Sequence, residues 1–265
     1  MLLAPMIIVD RILTPGVEPP GGALLNNPLL QGAALLLTVA VMLPAVWLGV
    51  RAVEGRSLGW VSSVTGRLRW RWLALTVVPI AALVILGSVA FIVVGSLVEP
   101  DSGGAGSEPV QWGLLVGGLA VILVLVPVQA AAEEYFFRGF LMQLIGGYLR
   151  NPWFGVVITS VLFAAAHGEF QGPRLLSLVA FGVVAAVLAL RTGGLEAGIV
   201  LHTTNNLLAF GLGAVAGAPP TGATGGAAMP WWMTAVDVTT LVAVLAAILW
   251  LARRRRLSHA APAVG

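Results

Sequence analysis

The 265-residue chain is 58% hydrophobic and only 9% charged, against roughly 45–50% and 25% in soluble domains. A water-soluble fold of this size needs more polar surface, so the bilayer must solvate most of the chain. The net charge of +3 does not point to nucleic acid, because the basic residues sit at the ends of apolar runs.

All fourteen basic residues are arginine and there is no cysteine. Disulfides and thiolate metal sites are therefore excluded. The arginine bias is expected of a GC-rich bacterial genome, which would place the chain in a bacterial inner membrane as a multi-pass protein. Met1–Val9 is short and apolar but is followed by Asp10 and Arg11 with no small-residue cleavage site. It reads as an interfacial segment rather than a signal peptide.

The pattern predicts an all-α, polytopic transmembrane bundle of about seven spans, with six to eight allowed. Residues 1–28, rich in proline and glycine towards their end, form an N-terminal loop or interfacial segment. Residues 29–110 hold the first two spans, Leu29–Val50 (with Pro44 as a kink) and Leu73–Val98, around a linker carrying five arginines. The third span begins near Trp112 and ends before Arg150. It is too long for a ~30 Å core if straight, so bends are expected at Pro127 and at Gly146-Gly147, or a break into two pieces. Spans four to six are Trp153–His167, Leu175–Leu190 and Leu195–Leu212. Residues 213–252 add an outer loop and the last span, Trp231–Ala252, and residues 253–265 form a basic tail. Trp112, Trp153, Trp231 and Trp232 start spans, as interfacial tryptophans do.

Orientation follows from the arginines. With residues 51–72 inside and alternating crossings, eleven arginines fall inside, Arg11 and Arg174 outside, and Arg138 in the membrane. This asymmetry predicts the N-terminus out and the C-terminus in.

Charge within the spans is the clue to chemistry. An acid or arginine at mid-bilayer costs about 3 kcal/mol on insertion scales and is functional by default. Glu133, Glu134 and Arg138 lie together in the third span. Glu134 and Arg138 are i,i+4 neighbours on one helix face, whereas Glu133 points about 100° away. Glu133 is then the candidate base and Glu134–Arg138 its brace; the alternative is an ion pair that only fixes helix packing. Two further clusters, Phe163-Ala-Ala-Ala-His167 and His202-Thr-Thr-Asn-Asn206, lie on spans four and six. His202 and Asn206 share a face, and Phe163 stands one turn from His167 as a wall for its ring. A carboxylate with two imidazoles and an amide suits hydrolysis by an activated water. Two histidines and a carboxylate are also a zinc donor set, which makes His167 and His202 candidate metal ligands. A metal-free, glutamate-activated water is the alternative. Glu196 reads as an interfacial acid beside Arg191, and Asp237 in the last span as hydrogen-bonded to Thr239 or Thr240 or as a packing residue.

These three motifs, Glu133-Glu-Tyr-Phe-Phe-Arg138, Phe163-x-x-x-His167 and His202-x-x-x-Asn206, resemble in order and spacing those of the CPBP family. Its members are CAAX proteases and bacteriocin-processing proteins, intramembrane proteases related to the eukaryotic Ras-converting CAAX endopeptidase. The resemblance covers about residues 115–210, within a core of 111–212. It implies Glu133 as the water-activating base, Glu134 and Arg138 as its support, and His167, His202 and Asn206 as groups binding water, metal or oxyanion. The expected activity is endopeptidase cleavage of a membrane-associated or lipidated peptide or protein, with membrane lipid as the other partner. Two alternatives from other classes are a non-catalytic peptide-binding or bacteriocin-immunity protein and an ion- or proton-coupled transporter.

The predicted orientation can be read from two single-cysteine variants, because the chain has no background thiol. In intact cells an impermeant maleimide should label Ser107→Cys and leave Ser57→Cys unlabelled; the reverse pattern would invert the topology.

Overall fold

The computed structural model describes residues 3–17, 19, 23–100, 111–168, 170, 172–215 and 229–259. Most of the predicted outer loops, Asp101 and Glu108 among their residues, and the last six residues of the tail lie outside the described residues. Among those described the chain is a helical bundle, and six helices are long and apolar enough to cross a membrane.

A short helix α1 (Ala4–Leu13) precedes the first long helix. Asp10 is buried, and its carboxylate accepts hydrogen bonds from the Asn27 amide (2.8 Å) and the Asn26 amide (3.0 Å). Asn27 in turn caps α2 (Pro28–Ala40), its side chain accepting from Leu29 and Leu30, with Pro28 pre-set at the first helical position. Around the kink predicted at Pro44 the helical run Pro28–Val53 is interrupted at Val41, which itself keeps helical dihedrals. Proline cannot donate to the Ala40 carbonyl, so α2 ends there, and α3 (Met42–Gly49) continues into a wide π-helical turn, Val50–Glu54.

The arginine-rich linker is more than a loop between spans. It holds helix α4 (Leu58–Ser62) and folds back on residues 193–195 through an isolated antiparallel bridge between Ser63 and Gly194. The Val64 amide donates to the Gly193 carbonyl and the Leu195 amide to the Ser62 carbonyl, both at 2.9 Å. Helix α5 (Trp70–Val98) follows.

The third span is one long helical run, α6 (Trp112–Glu134), a π-helical turn (Tyr135–Leu141) and α7 (Met142–Leu149). At 38 residues it measures ~57 Å, longer than the hydrocarbon core. Its departure from α geometry falls at neither Pro127 nor the Gly146-Gly147 pair, but directly after the glutamates. Tyr135, Phe137, Arg138 and Gly139 of this turn are all buried.

Helix α8 (Pro152–Ala166) starts at an Asn151 cap with proline at its first position. It has 15 residues, ~22 Å, so the expected fourth span is too short to cross a ~30 Å core upright. Helices α9 (Gly172–Thr192), α10 (Glu196–Val215) and α11 (Trp231–Arg254) complete the bundle. Helices α8 and α9 approach closely because a Cβ at Gly182 would lie 2.8 Å from Ser160, the small-residue contact common between membrane helices. The outward faces are apolar and exposed, Val78, Leu86 and Val124 among them, as lipid-facing residues should be.

Glu196 does not pair with the neighbouring Arg191. It is fully buried, and Arg69 grips it with both ends of the guanidinium fork, Nη2–Oε2 at 2.7 Å and Nε–Oε1 at 2.9 Å. The Arg69 amide adds a third bond to Oε1 at 2.8 Å, and Nη1 donates to the Thr192 carbonyl. Sequence proximity favoured Arg191, but the pairing crosses 127 residues.

Two expectations follow. Arg69→Ala strands the Glu196 carboxylate and should lower stability by about 3–5 kcal/mol, whereas pairing Arg69→Met with Glu196→Leu should restore most of it; unfolding of purified variants in detergent reads both. At Asp10, burial raises the carboxyl pKa, but the Asn26 and Asn27 donors outweigh it and hold the group below its ordinary value. Its contribution is thus full above the unfolded pKa of about 3.9 and lost as pH falls through the lower folded value. Hydrogen-exchange protection of the Asn26 and Asn27 amides should persist down to pH ~4 and be weak at all pH values in Asp10→Asn.

Candidate active site

The cluster is built on the end of α6, the π-helical turn that follows it, and the first two turns of α10. Glu134 is completely buried, and its Oε1 accepts two hydrogen bonds at 2.9 Å, from Arg138 Nη1 and from His202 Nδ1. The expected Glu134–Arg138 pair is therefore present, and it also holds the third motif. The Arg138 guanidinium stacks over the Phe163 ring at 4.4 Å, a cation–π contact in a desolvated setting. Glu134 Oε2 lies against Gly198, where an added Cβ would stand 2.9 Å from it. Both the carboxylate's position and the approach of α10 depend on that missing side chain.

Glu133 is differently placed. Its Oε1 accepts from Gln129 Nε2 at 2.8 Å, and its Oε2 faces His202 Nε2 at 3.5 Å. That separation is too long for a strong hydrogen bond, and Oε2 accepts none among the described residues. With Nδ1 donating to the Glu134 carboxylate, a neutral His202 presents the lone pair of Nε2 toward Glu133.

Asn206 joins the cluster indirectly. Its Nδ2 donates to Gln129 Oε1 at 3.2 Å, which makes an Asn206–Gln129–Glu133 chain from α10 to α6. Gln129 had no place in the sequence reading. Its signal was its position four residues before Glu133, on the same helix face.

Phe163 is 1% exposed and touches His167 (ring centroids 4.5 Å), His202 (5.7 Å) and Phe181 (5.6 Å). It lies where a wall was expected. His167 is the C-cap of α8 and its Nδ1 bonds the Phe163 carbonyl at 2.8 Å. It is exposed and meets the buried cluster through the Phe163 ring. Asp237 borders a separate cavity of about 220 Å³ between α5, α10 and α11, with Asn205 on the opposite wall.

Among the described residues no group of three or more His, Asp or Glu side chains is spaced to hold a metal ion. His202 and His167 spend Nδ1 on Glu134 and on the Phe163 carbonyl, which leaves Nε2, the nitrogen that a metal-ligating histidine uses when its other ring nitrogen is so held.

Comparison with known proteins finds likeness over the segment that carries this site. Residues 115–208 match the model of the Rce1-like proteins, described as type II CAAX prenyl endopeptidase Rce1-like. The chain is 29% identical over 193 residues to the uncharacterized protein YyaK of Bacillus subtilis (strain 168), covering 70% of this chain and 62% of that protein. It is 37% identical over 95 residues to an uncharacterized 24.3 kDa protein of Escherichia coli, covering 34% of this chain and 42% of that one. The chain thus spans less than two thirds of the length of either relative. No solved structure matches it. Glu133, Glu134, Arg138, His167, His202 and Asn206 all fall inside the segment that matches the Rce1-like type II CAAX prenyl endopeptidase model.

Proposed function

We propose that the protein is an intramembrane endopeptidase that hydrolyses a peptide bond in a membrane-associated or lipidated substrate through a water activated by Glu133. One observation carries the reading: of two adjacent carboxylates, one is enclosed and doubly bonded, while the other has an oxygen facing an imidazole nitrogen at 3.5 Å.

A water beside the 3.5 Å gap between Glu133 Oε2 and His202 Nε2, off the line joining them, donates one proton toward each. Glu133 removes its proton as the oxygen attacks the scissile carbonyl carbon, and then delivers it to the leaving amine. Glu134 keeps His202 in the tautomer that accepts at Nε2, and Arg138 balances the Glu134 charge. Asn206 has a second amide hydrogen beyond the one given to Gln129, and it serves as a neutral donor for the developing oxyanion. His167 and Phe163 close the α8 side of the site. No step is routed through a metal.

The substrate can be found and the base tested together. Neo-N-termini of membrane proteins are mapped by mass spectrometry in cells expressing the wild type or the isosteric Glu133→Gln variant. Cleavage products present with the wild type should fall by about 10²–10⁴-fold with Glu133→Gln at equal protein level. Identical N-terminal sets in the two strains would overturn the protease reading.

A further inference from the structure

We propose that Gln129 is the positioning residue that aims the Glu133 carboxylate, an inference that rests on Glu133 being the base. The chain needs something to do this. A glutamate side chain has three rotatable bonds, and Glu133 lacks the arginine that fixes its neighbour Glu134. Gln129 supplies the constraint from one turn earlier on α6. It is 5% exposed, and its Nε2 donates to Glu133 Oε1 at 2.8 Å.

The direction of the amide matters as much as its presence. An ionised carboxylate only accepts hydrogen bonds, so Gln129 must turn its NH₂ toward Glu133. Its carbonyl oxygen must then face the other way and find a donor. Asn206 Nδ2 is that donor, at 3.2 Å. Asn206 therefore sets the amide orientation of Gln129, and Gln129 sets the carboxylate orientation of Glu133. Oε1 is the oxygen consumed by this contact, which leaves Oε2 as the one facing His202 Nε2. The arrangement couples α10 to α6 twice, once through His202 and Glu134 and once through Asn206 and Gln129. A role for Asn206 that needs no contact with substrate follows from the same chain.

Three variants test the assignment, assayed with a quenched peptide spanning a cleavage site mapped as above. Gln129→Met keeps the side-chain length and removes both hydrogen bonds. Its kcat should fall on the order of 10²-fold, as for a misplaced reacting group, with KM nearly unchanged and thermal unfolding close to wild type. Gln129→Glu keeps the bond from Asn206 but cannot donate to Glu133, and should show the same kcat-selective loss; it serves if Gln129→Met does not fold. The exchanged pair, Gln129→Glu with Glu133→Gln, restores every hydrogen bond of the chain while moving the carboxylate one turn, so it should unfold like the wild type and not cleave. A wild-type kcat in Gln129→Met or Gln129→Glu, with Glu133→Gln inactive, would overturn the positioning role and leave the base in place. Cleavage by Glu133→Gln or by the exchanged pair would instead overturn the base itself.

Discussion

A single carboxylate oxygen, Oε1 of Glu134, is where the two halves of the site meet. It takes a hydrogen bond from Arg138 on its own helical run and another from His202 on α10. Burying a carboxylate and a guanidinium costs several kcal/mol each unless geometry and further bonds compensate. Here compensation comes from the ion pair at 2.9 Å, the imidazole and the Phe163 face beneath the guanidinium, although Glu134 Oε2 and Arg138 Nε and Nη2 take no hydrogen bond among the described residues. Removing either end would leave an uncompensated charge in a dry interior. The motif is therefore held together by the penalty for breaking it as much as by its net stability.

That commitment of Glu134 is what gives two adjacent, chemically identical residues different tasks. Helical geometry turns Glu133 away from the ion pair, so neither Arg138 nor the Gly198 contact constrains it. It is met by an amide, which orients a carboxylate without neutralising it. An arginine in that place would hold the group just as firmly and make it a poorer base, since an opposite charge favours the ionised form. A neutral chain of two amides supplies direction at little electrostatic expense.

The polar residues of the site were legible in the sequence because charge in an apolar run has few explanations. The Glu134–Arg138 pair followed from i,i+4 spacing, and the Phe163 wall from one helical turn. What escaped were contacts set by tertiary approach. Gln129 looks like an ordinary polar residue until Asn206 is seen across from it. Glu196 lies five residues from Arg191 in sequence, and nothing local announces that Arg69 reaches it instead. The π-helical turn was invisible because no local residue marks it; its Tyr135, Phe137, Arg138 and Gly139 are buried against tertiary neighbours, one of them Ser62, which bonds the Tyr135 hydroxyl at 2.6 Å. Proline and glycine, the usual local signals of a bend, pointed elsewhere.

The same tertiary contacts account for how residues at different helical depths meet. Phe163 is eleven residues after Pro152, ~17 Å along α8, whereas His202 is six after Glu196, ~9 Å along α10. The rings nonetheless touch, with centroids 5.7 Å apart. Upright helices starting at one membrane surface would place them ~8 Å out of register. Helix α10 does not start at a surface, however: every residue from Glu196 to His202 is buried. Its first turn lies beneath the segment carrying Ser62, Ser63 and Arg69, which bonds to Gly193, Leu195 and Glu196. The linker that the arginines mark as an orientation signal is thus also the cover that lets α10 begin inside the protein. Recessing the start of α10 brings His202 toward the level of Phe163, and the Arg69–Glu196 pair fixes that recess.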